Sequence, residues 1–225
     1  MKKPVVDYRE FRFNKLNTPQ FQHLKLLFGW VGYLFMYLIT ENFISRDKCT
    51  VIHSSLDDII PFCEIFVIPY VLWFGLILGS LVYFAFYSIE GFKRLQIFMM
   101  VTQVIAMTVY IVFPNRQDLR PDEFTRNNFL TEIVGFLYRI DTDTNVCPSL
   151  HVAYSIGIVS VYFKEKYMKP SVKIGVAVFA FIICLSTFFI KQHSVWDALA
   201  AIPLCIVAEI ISCGGFWKEK LRLKN

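Results

Sequence analysis

Four histidines occur in the 225 residues, and two of them stand where chemistry is possible. His193 lies in Lys191-Gln192-His193-Ser194-Val195-Trp196-Asp197, four residues before Asp197. On a helix that spacing puts both side chains on one face, within touching distance. A carboxylate on one imidazole nitrogen fixes the tautomer and leaves the other nitrogen free to attack. A structural ion pair or helix cap would use the same two residues. The second cluster is Asn145-Val146-Cys147-Pro148-Ser149-Leu150-His151. Proline favours the first helical position, because its missing N–H would be unpaired there. With Pro148 at that position, the N–H groups of Ser149 and Leu150 face outward at the positive end of the helix dipole, an anion site. The Ser149 hydroxyl can donate to the same anion, with His151 close behind. A capped helix start carrying an incidental histidine would look the same. His23 and His53 lie in polar flanking segments and are expected to be surface residues.

The elements that must position these groups are membrane spans. The chain is 56% hydrophobic and 18% charged, where a soluble domain carries about 25% charged residues. Apolar runs cover about 24–44, 62–87, 95–113, 146–163, 172–190 and 195–213, each near the roughly 20 residues a crossing needs. The fold class expected is all-α integral membrane with six transmembrane helices. The chain divides into a tail at 1–23, a membrane domain at 24–213 and a basic tail at 214–225. The first 23 residues lack the pattern of a secretory signal and are expected to form a solvated tail. Its aromatic and basic stretch from Tyr8 to Phe13 could lie on headgroups. Pro69 inside the second run implies a kink or an interfacial start. Ala153, Ser155, Gly157 and Ser160 in the fourth run, and Ala198, Ala200 and Ala201 in the sixth, suggest that those two pack closely. Trp30, Trp73, Trp196 and Trp217 are expected to be mostly interfacial anchors.

An even number of spans puts both termini on one side. That side holds 16 of the 23 lysines and arginines, so both termini are expected in the cytoplasm. This bias accounts for the net charge of +5 without nucleic acid. His151, His193 and the long segment 114–145 then share the non-cytoplasmic face. Among the six cysteines, Cys49 and Cys63 could pair if that face is oxidising.

Three segments carry a family resemblance. Pro148-Ser149-Leu150-His151 resembles the P-S-G-H motif of the type 2 phosphatidic acid phosphatase and vanadium haloperoxidase superfamily. Ser186 through Asp197 resembles its S-R-x5-H-x3-D motif, and Arg120-Pro121 the end of its K-x6-R-P motif. The motifs span about residues 113–200, and the six-span layout extends over the chain. The departures are Phe113 for the family lysine, Thr187 for an arginine and Leu150 for a glycine. These are more similar to the branch of inositol phosphorylceramide synthase and sphingomyelin synthase, which keeps a His, His, Asp triad. The resemblance implies a lipid phosphatase or phospho-headgroup transferase in the cell membrane. Its substrate would be a phospholipid or an isoprenoid or sphingolipid phosphate, and no metal or cofactor would be needed. His193 would be the nucleophile, Asp197 its orienter and His151 the acid and base. Arg120, Ser149 and Leu150 would hold the phosphate, with Arg116 or Lys191 standing in for the missing cations. Competing readings are a metal site built from Cys147, His151, His193 and Asp197, with Asp141 and Asp143 able to join a harder cation. A transporter or an inactive scaffold on the same fold would also fit.

Overall fold

The computed structural model describes residues 4–222, with the backbone alone at 41–43 and 216–222. Lys2, Lys3 and Lys224 of the basic termini lie outside them. Eight α-helices are described: α1 Gly29–Phe43, α2 Ser55–Ile59, α3 Val67–Tyr87, α4 Ile89–Val112, α5 Phe129–Ile140, α6 Leu150–Lys164, α7 Pro170–Phe189 and α8 Val195–Arg222. A 3-10 stretch, Gln22–Phe28, leads into α1. Two short strands, β1 Thr50–Val51 and β2 Asn115–Arg116, pair in parallel.

The chain is mostly helical. Among the described residues, five stretches are long and apolar enough to cross a membrane: Gln22–Thr40, Glu64–Tyr87, Ile89–Val112, Pro170–Phe189 and Val195–Gly215. Helix α6 is apolar but only 15 residues long, and it starts at Leu150 where the run of apolar residues predicts a start near 146. The cause is Asn115. Its Oδ1 accepts the N–H groups of Val146 and Cys147, and its Nδ2 donates to the Cys147 carbonyl. These bonds give the backbone before Ser149 an extended partner in place of a helical one. Pro69 sits in the first turn of α3, where no intrahelical bond is lost. The second run therefore begins with the 3-10 turn Glu64–Phe66, and Pro69 falls outside the helix interior.

Half of the apolar window of α4 is buried, against 11% of Gln22–Thr40, so α4 is the central helix and α1 a peripheral one. Leu95, Phe98, Met99 and Ala106 of α4 meet Ala153 and Ile158 of α6 and Ala201 and Ala208 of α8, all fully buried. The small residues do bring α6 and α8 together, as the Cys205 thiol reaching the Ala153 carbonyl at 3.8 Å shows. Gly157 instead serves α4, since a Cβ built there would run into the Phe98 ring. Lys164 lies in the last turn of α6, buried and paired with Glu209 at 2.5 Å.

The N-terminal segment is not a solvated tail. Val5 donates to the Phe86 carbonyl at 2.7 Å, and the Tyr8 hydroxyl meets His23 Nε2 at 2.8 Å and the Ala85 carbonyl at 2.9 Å. Val6, Phe21 and His23 are buried, so this segment packs on the α3–α4 turn. Three apolar or aromatic side chains at 6, 21 and 23 outweigh the solubility of the charged ones between them.

On the opposite end, Arg46 reaches Asp118 at 2.8 Å and Asp143 at 2.7 Å, tying the turn before β1 to the long loop. Burial pushes the Asp143 carboxyl up, but the Arg46 hydrogen bonds and charge more than offset it, and it titrates below its ordinary value. A carboxyl lowered on folding contributes stability above its unfolded pKa, and that stability is lost as pH falls through the folded value. The melting temperature in detergent should therefore drop below about pH 4, and Asp143→Asn should flatten that part of the profile. An unchanged profile in Asp143→Asn would remove the pair from the acid response.

Candidate active site

His193 sits just before α8 in the loop 190–194, and Asp197 in the first turn of α8. Asp197 Oδ2 accepts the Ser194 N–H at 2.9 Å, and the Ser194 hydroxyl accepts the Trp196 N–H at 3.2 Å. This is a capping arrangement in which the carboxylate reaches back over the helix start. The same oxygen meets His193 Nδ1 at 3.1 Å. The pair predicted from its four-residue spacing forms, through the cap and not through a shared helical face. With Nδ1–H donated to Asp197, Nε2 carries the lone pair. It lies 3.3 Å from Nδ1 of His151, one residue into α6. The result is a continuous line from Asp197 to His193 to His151.

All three side chains are shielded: Asp197 has no exposure, and His193 and His151 have 8% and 9%. His151 is held between aromatic rings, stacked on Tyr70 at 4.5 Å and tilted against Trp73 at 4.1 Å. Trp73 is thus part of the site wall and not an interfacial anchor. Trp196, about half exposed, does lie at the surface. The Nε2 of His151 has no hydrogen-bond partner.

A cavity of about 330 Å³ opens beside the two histidines. Its walls are Tyr33, Leu34 and Tyr37 of α1, Tyr70, Trp73 and Phe74 of α3, Tyr110 of α4, and Leu137 and Ile140 of α5. Its polar rim is Asp141, Thr142, Thr144, Asn145 and Gln192. No lysine or arginine lines it among the described residues.

The expected phosphate-binding residues are placed in several ways. Arg120 donates to the Tyr138 carbonyl at 3.0 Å, the Asp141 carbonyl at 2.6 Å and Gln192 Oε1 at 2.5 Å, and stands over the Tyr138 ring. Burial lowers its guanidinium from the ordinary value, with Asp141 and Asp143 opposing. It braces the rim and stands one residue behind the cavity surface. Lys191 points away, its ammonium donating to the Asp57 carbonyl at 2.7 Å and the Ile60 carbonyl at 2.5 Å. Burial lowers it, with Asp57 and Asp58 opposing. Arg116 pairs with Asp118. Leu150 lines the cavity. Ser149 is the N-cap of α6 and Leu150, not Pro148, its first helical residue. The Ser149 hydroxyl accepts the Val152 N–H, and the Ser149 N–H donates to the Asp197 carbonyl at 3.0 Å. The anion site expected there loses the Ser149 N–H to that bond.

Of the three substituted motif positions, Leu150 lines the cavity as described, and Phe113 ends α4 half-exposed. Thr187 is buried, and its carbonyl accepts the N–H groups of Gln192 and His193. Cys147 lies beside Asp197, and burial together with that negative charge pushes its thiol up to about 12. Among the described residues no three His, Cys, Asp or Glu side chains gather as a metal-ligand set. Cys49 and Cys63 are both free thiols. His53 is half-exposed and paired with Asp58 at 2.8 Å.

Sequence reasoning missed Tyr70, Trp73 and Asp57, which come from segments far from the motifs, and Asn115, which lies inside one at a position the motif leaves open. The one visible signal was the Ser54-Leu56-Asp57 capping pattern, and it marks a helix start without showing what else the carboxylate touches. Comparison with family models, with curated proteins and with solved structures finds no match to this chain.

Proposed function

We propose that this chain is a six-span membrane enzyme that transfers a phosphoryl or phospho-headgroup from a lipid through a phosphohistidine on His193. The observation that carries this reading is the shielded Asp197–His193–His151 line at the end of an aromatic cavity. In the proposed topology the short α6 is the fourth of six crossings, both termini are cytoplasmic and the site opens at the non-cytoplasmic face of the cell membrane. The aromatic walls suit lipid chains, while Thr142, Thr144, Asn145 and Gln192 of the rim offer neutral hydrogen-bonding groups beside Asp141.

In the first step His193 Nε2 forms a P–N bond as the P–O bond to the leaving group breaks, and His151 protonates the departing oxygen. The phosphorus must come between the two rings and replace their 3.3 Å hydrogen bond. In the second step an incoming hydroxyl gives its proton to His151 while its oxygen forms the new P–O bond and the P–N bond breaks. Asp197 stabilises the cationic imidazole that develops at His193.

The charge of the cavity favours one donor class. Its lining carries two imidazoles and the Asp141 carboxylate but no fixed cation among the described residues. A phosphodiester with one negative charge meets less repulsion there than a doubly charged phosphomonoester, so headgroup transfer to a lipid hydroxyl is favoured over phosphatase action. The test is incubation of the purified protein with labelled phosphatidylinositol or phosphatidic acid, with ceramide or diacylglycerol as acceptor. Separation of the lipid products should show a new phosphodiester lipid. Free phosphate as the sole product would make the enzyme a phosphatase, and no product from either donor would refute both.

A further inference from the structure

The loop that carries His193 is held from outside by a segment with no part in the chemistry. Asp57, in the five-residue α2, is 2% exposed. Its Oδ1 accepts the Val195 N–H at 2.9 Å, the first N–H of α8. Its Oδ2 accepts the Ser194 hydroxyl at 2.6 Å and the Ser54 N–H at 2.8 Å. One carboxylate thus caps its own short helix and the start of α8. The clasp is reciprocal, because the Lys191 ammonium from the α7–α8 loop binds the Asp57 and Ile60 carbonyls at the far end of α2. A third tie, from the Cys63 N–H to the Phe189 carbonyl at 2.9 Å, fixes the end of α7.

Ser194 is the hinge of this arrangement. Its hydroxyl binds Asp57, its N–H binds Asp197, and it follows His193 directly. Any shift of Asp57 is therefore passed through one residue to both members of the His193–Asp197 pair. A negative charge at the positive end of α8 is also favourable in itself.

We infer that Asp57 is a positioning residue, through which the outer segment between α1 and α3 sets the alignment of His193 with Asp197 and His151. The inference rests on the phosphotransfer reading for its effect on turnover, but not for its effect on geometry.

Asp57→Asn keeps the size and replaces one oxygen by an amide that must face an N–H donor, Val195 on one side or Ser54 on the other. Misplacement of a reacting group by about 1 Å costs on the order of 100-fold in rate. Asp57→Asn should therefore lower kcat by about 10- to 100-fold and leave KM within about twofold. Ser194→Ala should give a smaller loss, and Asp57→Asn added to it should cost less than it does alone, since both act through one bond. Ser194→Ala also carries the test should Asp57→Asn fail to insert.

A second measurement is independent of activity. Diethyl pyrocarbonate labelling of His193, followed by mass spectrometry, should rise severalfold in Asp57→Asn as the ring leaves its shielded place. Labelling of His23, at the opposite end of the molecule, should stay constant. Unchanged labelling at His193 overturns the inference whatever the wild type turns over. An active wild type with unchanged kcat in Asp57→Asn overturns it as well. A wild type inactive on every donor, with His193 labelling raised, would refute the phosphotransfer reading and leave the clasp standing.

Discussion

His193→Ala should abolish turnover, and His151→Ala should stall the reaction halfway. Removing a nucleophile that acts with its partners as a unit costs on the order of 10⁶-fold in comparable triads. Loss of an acid–base group typically costs about 10²–10⁴-fold. The two variants separate best with a donor whose leaving group needs no proton, such as a nitrophenyl phosphodiester. His151→Ala should then form the P–N bond at a useful rate but lack the base that activates the second hydroxyl. A burst of one nitrophenolate per protein and a trapped phosphohistidine at His193 are expected. His193→Ala should show neither. Both proteins should still insert, because the Ser194 N–H continues to engage Asp197 and the Tyr70 and Trp73 rings can close on a smaller side chain. Steady turnover by His193→Ala would end the phosphohistidine mechanism.

Gly157→Ala should destabilise the membrane domain even though alanine is the better helix former. The propensity gain is about 0.5–1 kcal/mol. Against it, the added methyl runs into the Phe98 ring, which is fully buried on the central helix. Overpacking of this kind costs about 1–3 kcal/mol, so the net sign is unfavourable. Gly157→Leu should separate α4 from α6 and prevent recovery of a monodisperse protein. Thermal melting in detergent, read beside activity per folded molecule, checks both. A Gly157→Leu protein that melts with the wild type would show that α6 does not rest on α4 through this glycine.

The parts of this molecule that were legible in the sequence are those fixed by local pattern. Apolar runs mark the crossings, and the His193–Asp197 spacing marks the pair. What escaped depends on contacts between distant segments. Asp57 meets Ser194 across 137 positions and Asn115 meets Val146 across 31, and neither spacing has a periodicity to betray it. Proximity along the chain also misleads. Lys191 is two residues from His193, yet the chain at Lys191 adopts a left-handed turn and its ammonium points to α2. Arg120 lies near the site, but its two terminal nitrogens donate to the rim.

Asn115 has one more consequence. Its carbonyl accepts the Asn145 N–H at 2.7 Å, and the Gln117 N–H reaches the Asp143 carbonyl at 2.9 Å. The two feet of a thirty-residue excursion therefore stand side by side, welded at the base before α6 begins. Closing a longer excursion costs little, since each doubling of length adds only about 0.6 kcal/mol. Length changes within 122–128, away from the Arg120, Tyr138 and Asp141 contacts to the loop 190–194, should therefore leave the histidines in place. Because Leu137, Ile140 and Asp141 form one side of the cavity, substitutions at Leu137 and Ile140 would, on the proposed reading, change which lipid is admitted.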